Sequence, residues 1–187
     1  MPDRRKVGVA ILLMVGATLC FAALDATSKY LSRTYPIPMM VWGRYTFHLL
    51  MMLIFLAPSM RLRLIATSRP LAQITRALML TGTTGFAMAG FSMMPLAEST
   101  AFLFVTPLVV VILSHFVLKE SITRGHWLTL VIGFGGALLI ARPGGALNVQ
   151  GVVWMSLAAA CYAIYQIQTR QLSPTESTLT MLFYTAL

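Results

Sequence analysis

Residues 77–118 read ALMLTGTTGFAMAGFSMMPLAESTAFLFVTPLVVVILSHFVL, and Glu98 is the single formal charge in them. The hydrocarbon core of a bilayer takes about 20 apolar residues of helix. The stretch therefore divides into two membrane spans, 77–97 and 99–118, folded back on each other at a turn marked by Pro95 and Glu98.

Working outward, further runs of the same kind appear. Residues 7–24 carry no charge, and the helix they predict runs on through Asp25 and Lys29 to Leu31. Residues 38–57 are apolar apart from Arg44 and His48; residues 125–141 and 151–169 are charge-free. A last apolar segment, TLTMLFYTAL, starts at Thr178 and reaches the end of the sequence. The expectation is an all-α polytopic membrane protein with six complete transmembrane helices and the start of a seventh, read as part of a longer chain. Composition agrees: of 187 residues 58% are hydrophobic and 10% charged, and mean hydropathy is +0.80. A soluble domain carries about 25% charged residues, and disorder needs low hydrophobicity.

Positive charge sets the expected orientation, because Lys and Arg collect on cytoplasmic loops. Arg4, Arg5 and Lys6, then Arg61, Arg63, Arg69 and Arg76, then Lys119 and Arg124, then Arg170, fall on alternate loops and make ten. Lys29, Arg33 and Arg142 make three on the other side. The N-terminus is thus expected in the cytoplasm and the protein in the inner (plasma) membrane. The net charge of +9 follows from topology; a nucleic-acid partner would need a contiguous basic surface. The first helix has the basic start and small residues of a secretory signal. Its likeness to the sixth helix argues against cleavage.

That likeness is an internal repeat. Shifted by 141 residues, CFAALDATSKYLS (20–32) falls on CYAIYQIQTRQLS (161–173), pairing Cys20 with Cys161, Ala22 with Ala163, Leu31 with Leu172 and Ser32 with Ser173. Met14/Met155 and Ala17/Ala158 also match. Five helices per copy invert the second copy in the membrane, a transporter signature. Residues 7–141 read as a first five-helix repeat and 151–187 as the start of a second, which implies a whole of about 280–290 residues with ten helices in a 5+5 arrangement.

Four segments resemble one family: FAALDATSKYL in the first helix, VWGRYTF around Arg44, the hairpin MMPLAESTAFLFVTPLVVVILS with Pro107 inside it, and LKESITRGHWLTLVIGFGGALLIARPG. They are similar to the EamA type of the drug/metabolite transporter superfamily. The resemblance covers residues 7–187 and implies an importer or exporter of amino acids, amines, nucleotide-linked sugars, cofactors or drugs. The PLAEST hairpin resembles members described as S-adenosylmethionine or riboflavin carriers.

Ionisable groups in a bilayer cost about 2.5–3.5 kcal/mol near its centre and mostly face a cavity or one another. Asp25 lies about 27 Å above Val7 at 1.5 Å per residue, Lys29 one turn further, and Arg44 about 9 Å inside the outer end of its helix. With Glu98 they occupy the outer third. Asp25 and Lys29 share a face, as do Arg44 and His48. Each pair is either a local structural contact or the edge of an outer vestibule. Arg44 either snorkels or faces the cavity, and Glu98 either favours the positive end of its helix or couples protons. Pro107 removes a backbone hydrogen bond and makes either a gate or a static kink. Tyr162, Tyr165 and Gln166 share a side with no positive charge among them, suited to an aromatic or amide-bearing solute or to interhelical bonding. His115, Lys119, Glu120, Arg124, His126 and Trp127 read as structural or interfacial. The small residues Gly85, Ala89, Gly133, Ala137 and Ala141 read as helix packing, and the thirteen methionines as adaptable filling rather than a copper path.

No Walker loop, metal-ligand spacing or catalytic triad is present in the sequence, so neither cofactor nor metal is expected and the chain is not read as an enzyme. The sequence implies gradient-driven secondary transport of a small organic solute by alternating access, with helices 1, 3, 4 and 6 around a central site. An intramembrane enzyme and a pore are the alternatives. Partners are the solute and the lipid bilayer, and the chain could assemble as a homodimer.

Overall fold

The computed structural model describes residues 4–56, 66–119, 123–141 and 148–187, with the side chains of 4–6, 124, 137, 138, 140 and 141 excepted. Arg61, Arg63, Glu120, Arg142 and the side chains of Arg4, Arg5, Lys6, Arg124, Ala137 and Ala141 therefore lie outside the described residues.

Every described element is helical: α1 (Arg4–Leu31), α2 (Ile37–Phe55), α3 (Pro70–Met93), α4 (Leu96–Leu103), α5 (Thr106–Leu118), α6 (Arg124–Ala141), α7 (Val149–Leu172) and α8 (Thr178–Ala186). Local chemistry fixes the starts. Proline stands at the first helical turn of α2, α3 and α5, where its missing N–H has no intrahelical partner to lose. Asn148 caps α7 by accepting from the Gln150 and Gly151 N–H groups, and Ser177 caps α8 by accepting from Thr180 N–H. Among the described residues, three segments are long and apolar enough to cross a membrane: Val7–Leu31, Ile37–Phe55 and Leu96–Leu118. The exposed apolar side chains along them, Leu12, Leu13, Phe47 and Phe116 among others, suit a multi-pass membrane protein whose solvent on those faces is lipid.

One expectation needs correction. The third helix begins at Pro70, seven residues before the charge-free run at Ala77, so Arg76 is a buried helical residue and not a loop charge. In the span 99–118 the interruption expected at Pro107 divides the helix. Pro107 has no N–H to offer Leu103, and the backbone tightens one turn earlier: Phe104 N–H reaches both Thr100 and Ala101 carbonyls, and Val105 N–H turns to Phe102. The result is α4 and α5, two halves of one broken helix.

The core lies between α3 and α7, which pack along most of their length. Met155 and Ala158 of α7 pack with Ala87 and Phe91 of α3 and with Met94 just past its end, and Ala159, Ala163, Ile167 and Leu172 continue the buried side of α7. Two methionine-on-glycine contacts set the closeness. A Cβ on Gly90 would lie 2.2 Å from Met155 Sδ, and one on Gly151 would lie 2.5 Å from Met94 Cγ. Gly133 has no atom within 4 Å of its Cβ position and holds no such contact. By contrast α1 is almost wholly exposed, touching α3 and α4 only near its end.

Candidate functional site

Basic residues Arg69, Lys119 and Arg170 mark one end of the bundle, here the basic end; Leu31, Ile37, Met93 and Val149 mark the opposite end. Polar side chains gather at both, and a groove lies between α2, α3, α7 and α8.

At the opposite end, Lys29 does not pair with Asp25. Its Nζ donates to Met94 O at 2.5 Å and to Phe91 O, the last carbonyls of α3. A helix end holds partial negative charge and unbonded carbonyls, so a cation there is satisfied without a carboxylate. Asp25, half-buried, lies within the field of Arg44, and so does His48 on the next turn of α2. Glu98 occupies the first turn of α4, half-buried at the positive end of that helix. Among the described residues no ion pair joins Asp25, Lys29, Arg44 and Glu98 into one cluster. Pro107 is exposed.

The groove has a volume of about 960 Å³ and an apolar, aromatic lining. Trp42 and Tyr45 of α2 face Phe86 of α3 and Trp154 of α7, with Gly82, Gly85 and Ala89 leaving room and Thr81 as a polar spot. Phe86 and Trp154 stack at 5.6 Å, and Tyr45 Oη and Thr84 Oγ1 share a hydrogen bond of 3.0 Å. Trp154 Nε1 is buried with no hydrogen-bond partner. None of the residues singled out from the sequence as site candidates lines this groove. The groove is formed by α2, α3, α7 and α8, and α1, one of the helices expected around a central site, does not line it.

At the basic end the structure brings α3, α7 and α8 together through polar contacts. Arg76 is 2% exposed. Its Nη1 donates to Thr169 Oγ1 at 3.2 Å and its Nη2 to Met181 O. Its guanidinium lies over the Tyr165 ring, 5.2 Å from the centroid. Tyr165 in turn stacks on Tyr162 at 5.9 Å. The shared face of Tyr162 and Tyr165 is thus real, but it does contain a positive charge, supplied from α3. Gln166 lies half-buried beside them. Gln168 Nε2 donates to Thr75 Oγ1 at 3.2 Å. One turn before Arg76, Gln73 is fully buried and neither of its amide atoms makes a hydrogen bond of good geometry; Arg76 Nε and Gln168 Oε1 are likewise unbonded.

Below this layer the segment between α7 and α8 meets the start of α3. Glu176 Oε1 accepts from Ser68 Oγ at 2.9 Å and from Ser68 N at 3.0 Å. Burial alone would push the Glu176 carboxyl up. Hydrogen bonds from the Ser68 and Thr67 hydroxyls, the Ser68 N–H and the Gln73 amide nearby outweigh it and hold the carboxyl below its usual range. An open cleft of about 630 Å³, lined by Thr67, Ser68, Thr175, Glu176, Ser177 and Thr180, leads to it. Sequence reasoning missed Arg76, Gln73 and Glu176. A signal for the first two was available: Pro70 as a helix-start residue puts Gln73 and Arg76 on one face, three apart. Glu176 in SPTEST carries no local signal for a partner 108 residues away.

Comparison with known proteins gives this arrangement a family. The sequence profile of the EamA-like transporter family matches residues 8–142. Relatives named S-adenosylmethionine uptake transporter come from Rickettsia prowazekii (strain Madrid E), 30% identical over 87% of this chain and 55% of the relative, and Rickettsia bellii (strain RML369-C), 29% identical over 97% and 62%. A third, from Rickettsia conorii (strain ATCC VR-613 / Malish 7), is 29% identical over 97% and 60%. The chain thus spans about 55–62% of the length of these curated relatives. The chain belongs to the EamA-like transporter family, within the drug/metabolite transporter superfamily.

Proposed function

We propose that the chain forms the first repeat (7–141) and the opening of the second (151–187) of a ten-helix, gradient-driven carrier that moves a small organic metabolite by alternating access. S-adenosylmethionine is the first candidate solute, after the names of the relatives. The basic end is cytoplasmic, by a bias of positive charge that stands at nine to three once Arg76 is counted with its helix.

One observation carries the repeat. The α7 residues Met155, Ala158, Ala163 and Leu172 are buried, three of them to 0% exposure. Their equivalents 141 residues earlier are Met14, Ala17, Ala22 and Leu31 on α1. Met14 is 72% exposed, and Ala17 and Ala22 are exposed beside it. A small-residue stripe that buries a helix in one copy and stands open in the other is what an inverted repeat leaves when the counterpart of α3 is not present to cover it. The small residues are there for close approach of backbones, not for lipid. Within such a carrier, the α3–α7 contact ties the two repeats together, and the polar layer at Arg76 and Glu176 closes the basic end.

The test is Ala22→Phe in the chain carrying both repeats, compared with Ala163→Phe. Both are expected to lower the melting temperature, since each blocks a helix crossing. A full melting temperature for Ala22→Phe would mean that α1 faces lipid there, and the repeat reading would fail. Solute identity is tested by thermal shift: S-adenosylmethionine is expected to stabilise the protein and unrelated amines are not. Stabilisation by another solute class alone would replace the candidate.

A further inference from the structure

Resting on the carrier reading, we infer that the turn 173–177 is the latch of a gate at the basic end, opened and closed by breaking and making the contact between the Glu176 carboxylate and Ser68. The turn is built twice in the chain. In 173–177 the Ser173 N–H donates to Thr169 O at 2.9 Å, and the Thr175 and Glu176 N–H groups both return to Leu172 O, at 3.0 and 2.9 Å. In 32–36 the Ser32 N–H donates to Ser28 O at 3.0 Å, and the Thr34 and Tyr35 N–H groups both return to Leu31 O at 2.9 Å. These three bonds recur 141 residues apart, the spacing of the sequence repeat, and the two turns lie at opposite ends of the bundle. A carrier that rocks two inverted repeats needs a closing element at each end, and the repeat supplies equivalent elements there. The matching side chains differ: Tyr35 is 46% exposed, whereas Glu176 is 9% exposed and held by Ser68.

The contact has the make-up of a joint that parts. It ties the segment before α3, in the first repeat, to the turn before α8, in the second, across 108 residues of chain. The donors to the carboxyl are neutral: the Ser68 N–H at 3.0 Å, the Ser68 hydroxyl at 2.9 Å, and the Thr67 hydroxyl and Gln73 amide. Water replaces neutral partners at small net cost, and the open cleft leads directly to them. Among the described residues Ala66 is the one apolar member of the cleft lining, so parting its walls uncovers little apolar surface. The α3–α7 crossing is the opposite case: Met155 on Gly90 and Met94 on Gly151 pack side chain against backbone and leave no room for water. Thr169 links the latch to the interior. Its carbonyl holds the turn through Ser173, and its hydroxyl accepts from Arg76, so a turn that swings disturbs the Arg76 layer as well.

The experiment takes the protein carrying both repeats, with Cys161 as its single remaining cysteine, in sealed vesicles. It measures the rate at which a membrane-impermeant maleimide, added from one side or the other, labels Cys161. That thiol lies one turn of α7 beyond Tyr165 and 3.5 Å from the Cβ position of Gly82, so reagent from the basic end reaches it past the Arg76 layer. Labelling from the basic side is expected to rise about tenfold in Glu176→Ala, the worth of a hydrogen bond to a charged group. The rise should be smaller in Ser68→Ala, which keeps its N–H, and in Glu176→Gln, which keeps an acceptor oxygen and serves if Glu176→Ala does not accumulate. Labelling from the opposite side should not rise in any of them. A contact that merely stabilises the fold would raise labelling from both sides together. Labelling that is unchanged, or that rises from both sides, would overturn the latch. Uptake of labelled S-adenosylmethionine by the same vesicles separates the two readings. Saturable uptake with unchanged labelling leaves the carrier standing without this latch; one-sided labelling without saturable uptake leaves the latch on a protein that does not carry this solute.

Discussion

Gly90→Ala is the perturbation whose consequence can be worked furthest from the geometry. Its new methyl would lie 2.2 Å from Met155 Sδ and 2.6 Å from Met155 Cγ, whereas carbon and sulfur atoms rest about 3.5–4 Å apart. Met155 is fully buried, packed with Ala87, Phe91, Met94 and Ala158, so more than 1 Å of relief must come from a new rotamer or from a shift of α7. Methionine has three rotatable bonds and yields more easily than a branched side chain. The expected loss is therefore about 1–3 kcal/mol, the range for overpacking. Met155→Ala, which empties the same place, should cost about 2–5 kcal/mol. The double variant should lose less than the two together, with a coupling of about 0.5–3 kcal/mol, because the alanine methyl then enters space that Met155 has left. Unfolding by sodium dodecyl sulfate titration in mixed micelles, followed by helical circular dichroism, measures all three. Additivity to within about 0.5 kcal/mol would mean that Met155 does not rest on Gly90, and the α3–α7 crossing described here would be wrong.

Other outcomes follow from the same contacts. Lys29→Met removes the cation from the end of α3 and should cost about 1–2 kcal/mol in the same unfolding assay; no change would detach Lys29 from Phe91 and Met94. Lys119 ends α5 with φ at 55°, so Lys119→Gly should raise stability by about 0.5–1 kcal/mol, and a loss would argue against that left-handed turn. For Glu176 the folded-state carboxyl titrates below its unfolded value. Its contribution is therefore present above about pH 4.5 and lost as pH falls through the folded-state value. The stability gap between wild type and Glu176→Gln should be constant near neutrality and close in acid; a gap that widens in acid would reverse the sign. Arg44→Ala should lower transport per folded molecule more than it lowers folded protein, and Arg44→Lys should not restore it fully; normal transport would leave Arg44 a snorkelling anchor.

The helices of this chain were legible wherever a run of residues lacked charge, because lipid admits little else. Helix ends were less so. Pro70 to Arg76 belongs to α3, yet Gln73 and Arg76 break the apolar run, and a count of uncharged residues excludes them. The burial of Arg76 depends on Thr169, Tyr165 and Met181, 89 to 105 residues away, and no local pattern announces partners at that distance. Lys29 illustrates the opposite difficulty: Asp25 is the partner that spacing offers, but the open carbonyls at the end of α3 take the ammonium instead. The stacking of Tyr162 on Tyr165 could be read from a separation of three, since helical geometry alone determines which neighbours share a face. The groove could not, because Trp42, Phe86 and Trp154 come from three helices and each alone reads as an interfacial or packing aromatic.

The central claim is that this family member, with both repeats present, carries a solute by alternating exposure of one site. Uptake of labelled S-adenosylmethionine into proteoliposomes, with and without unlabelled solute inside, measures it directly. Carrier behaviour requires saturable uptake that internal solute accelerates, because a loaded site returns across the membrane, and Gly90→Ala should slow both in proportion to folded protein lost. Flux that rises linearly with concentration and ignores internal solute would contradict the account and indicate a pore.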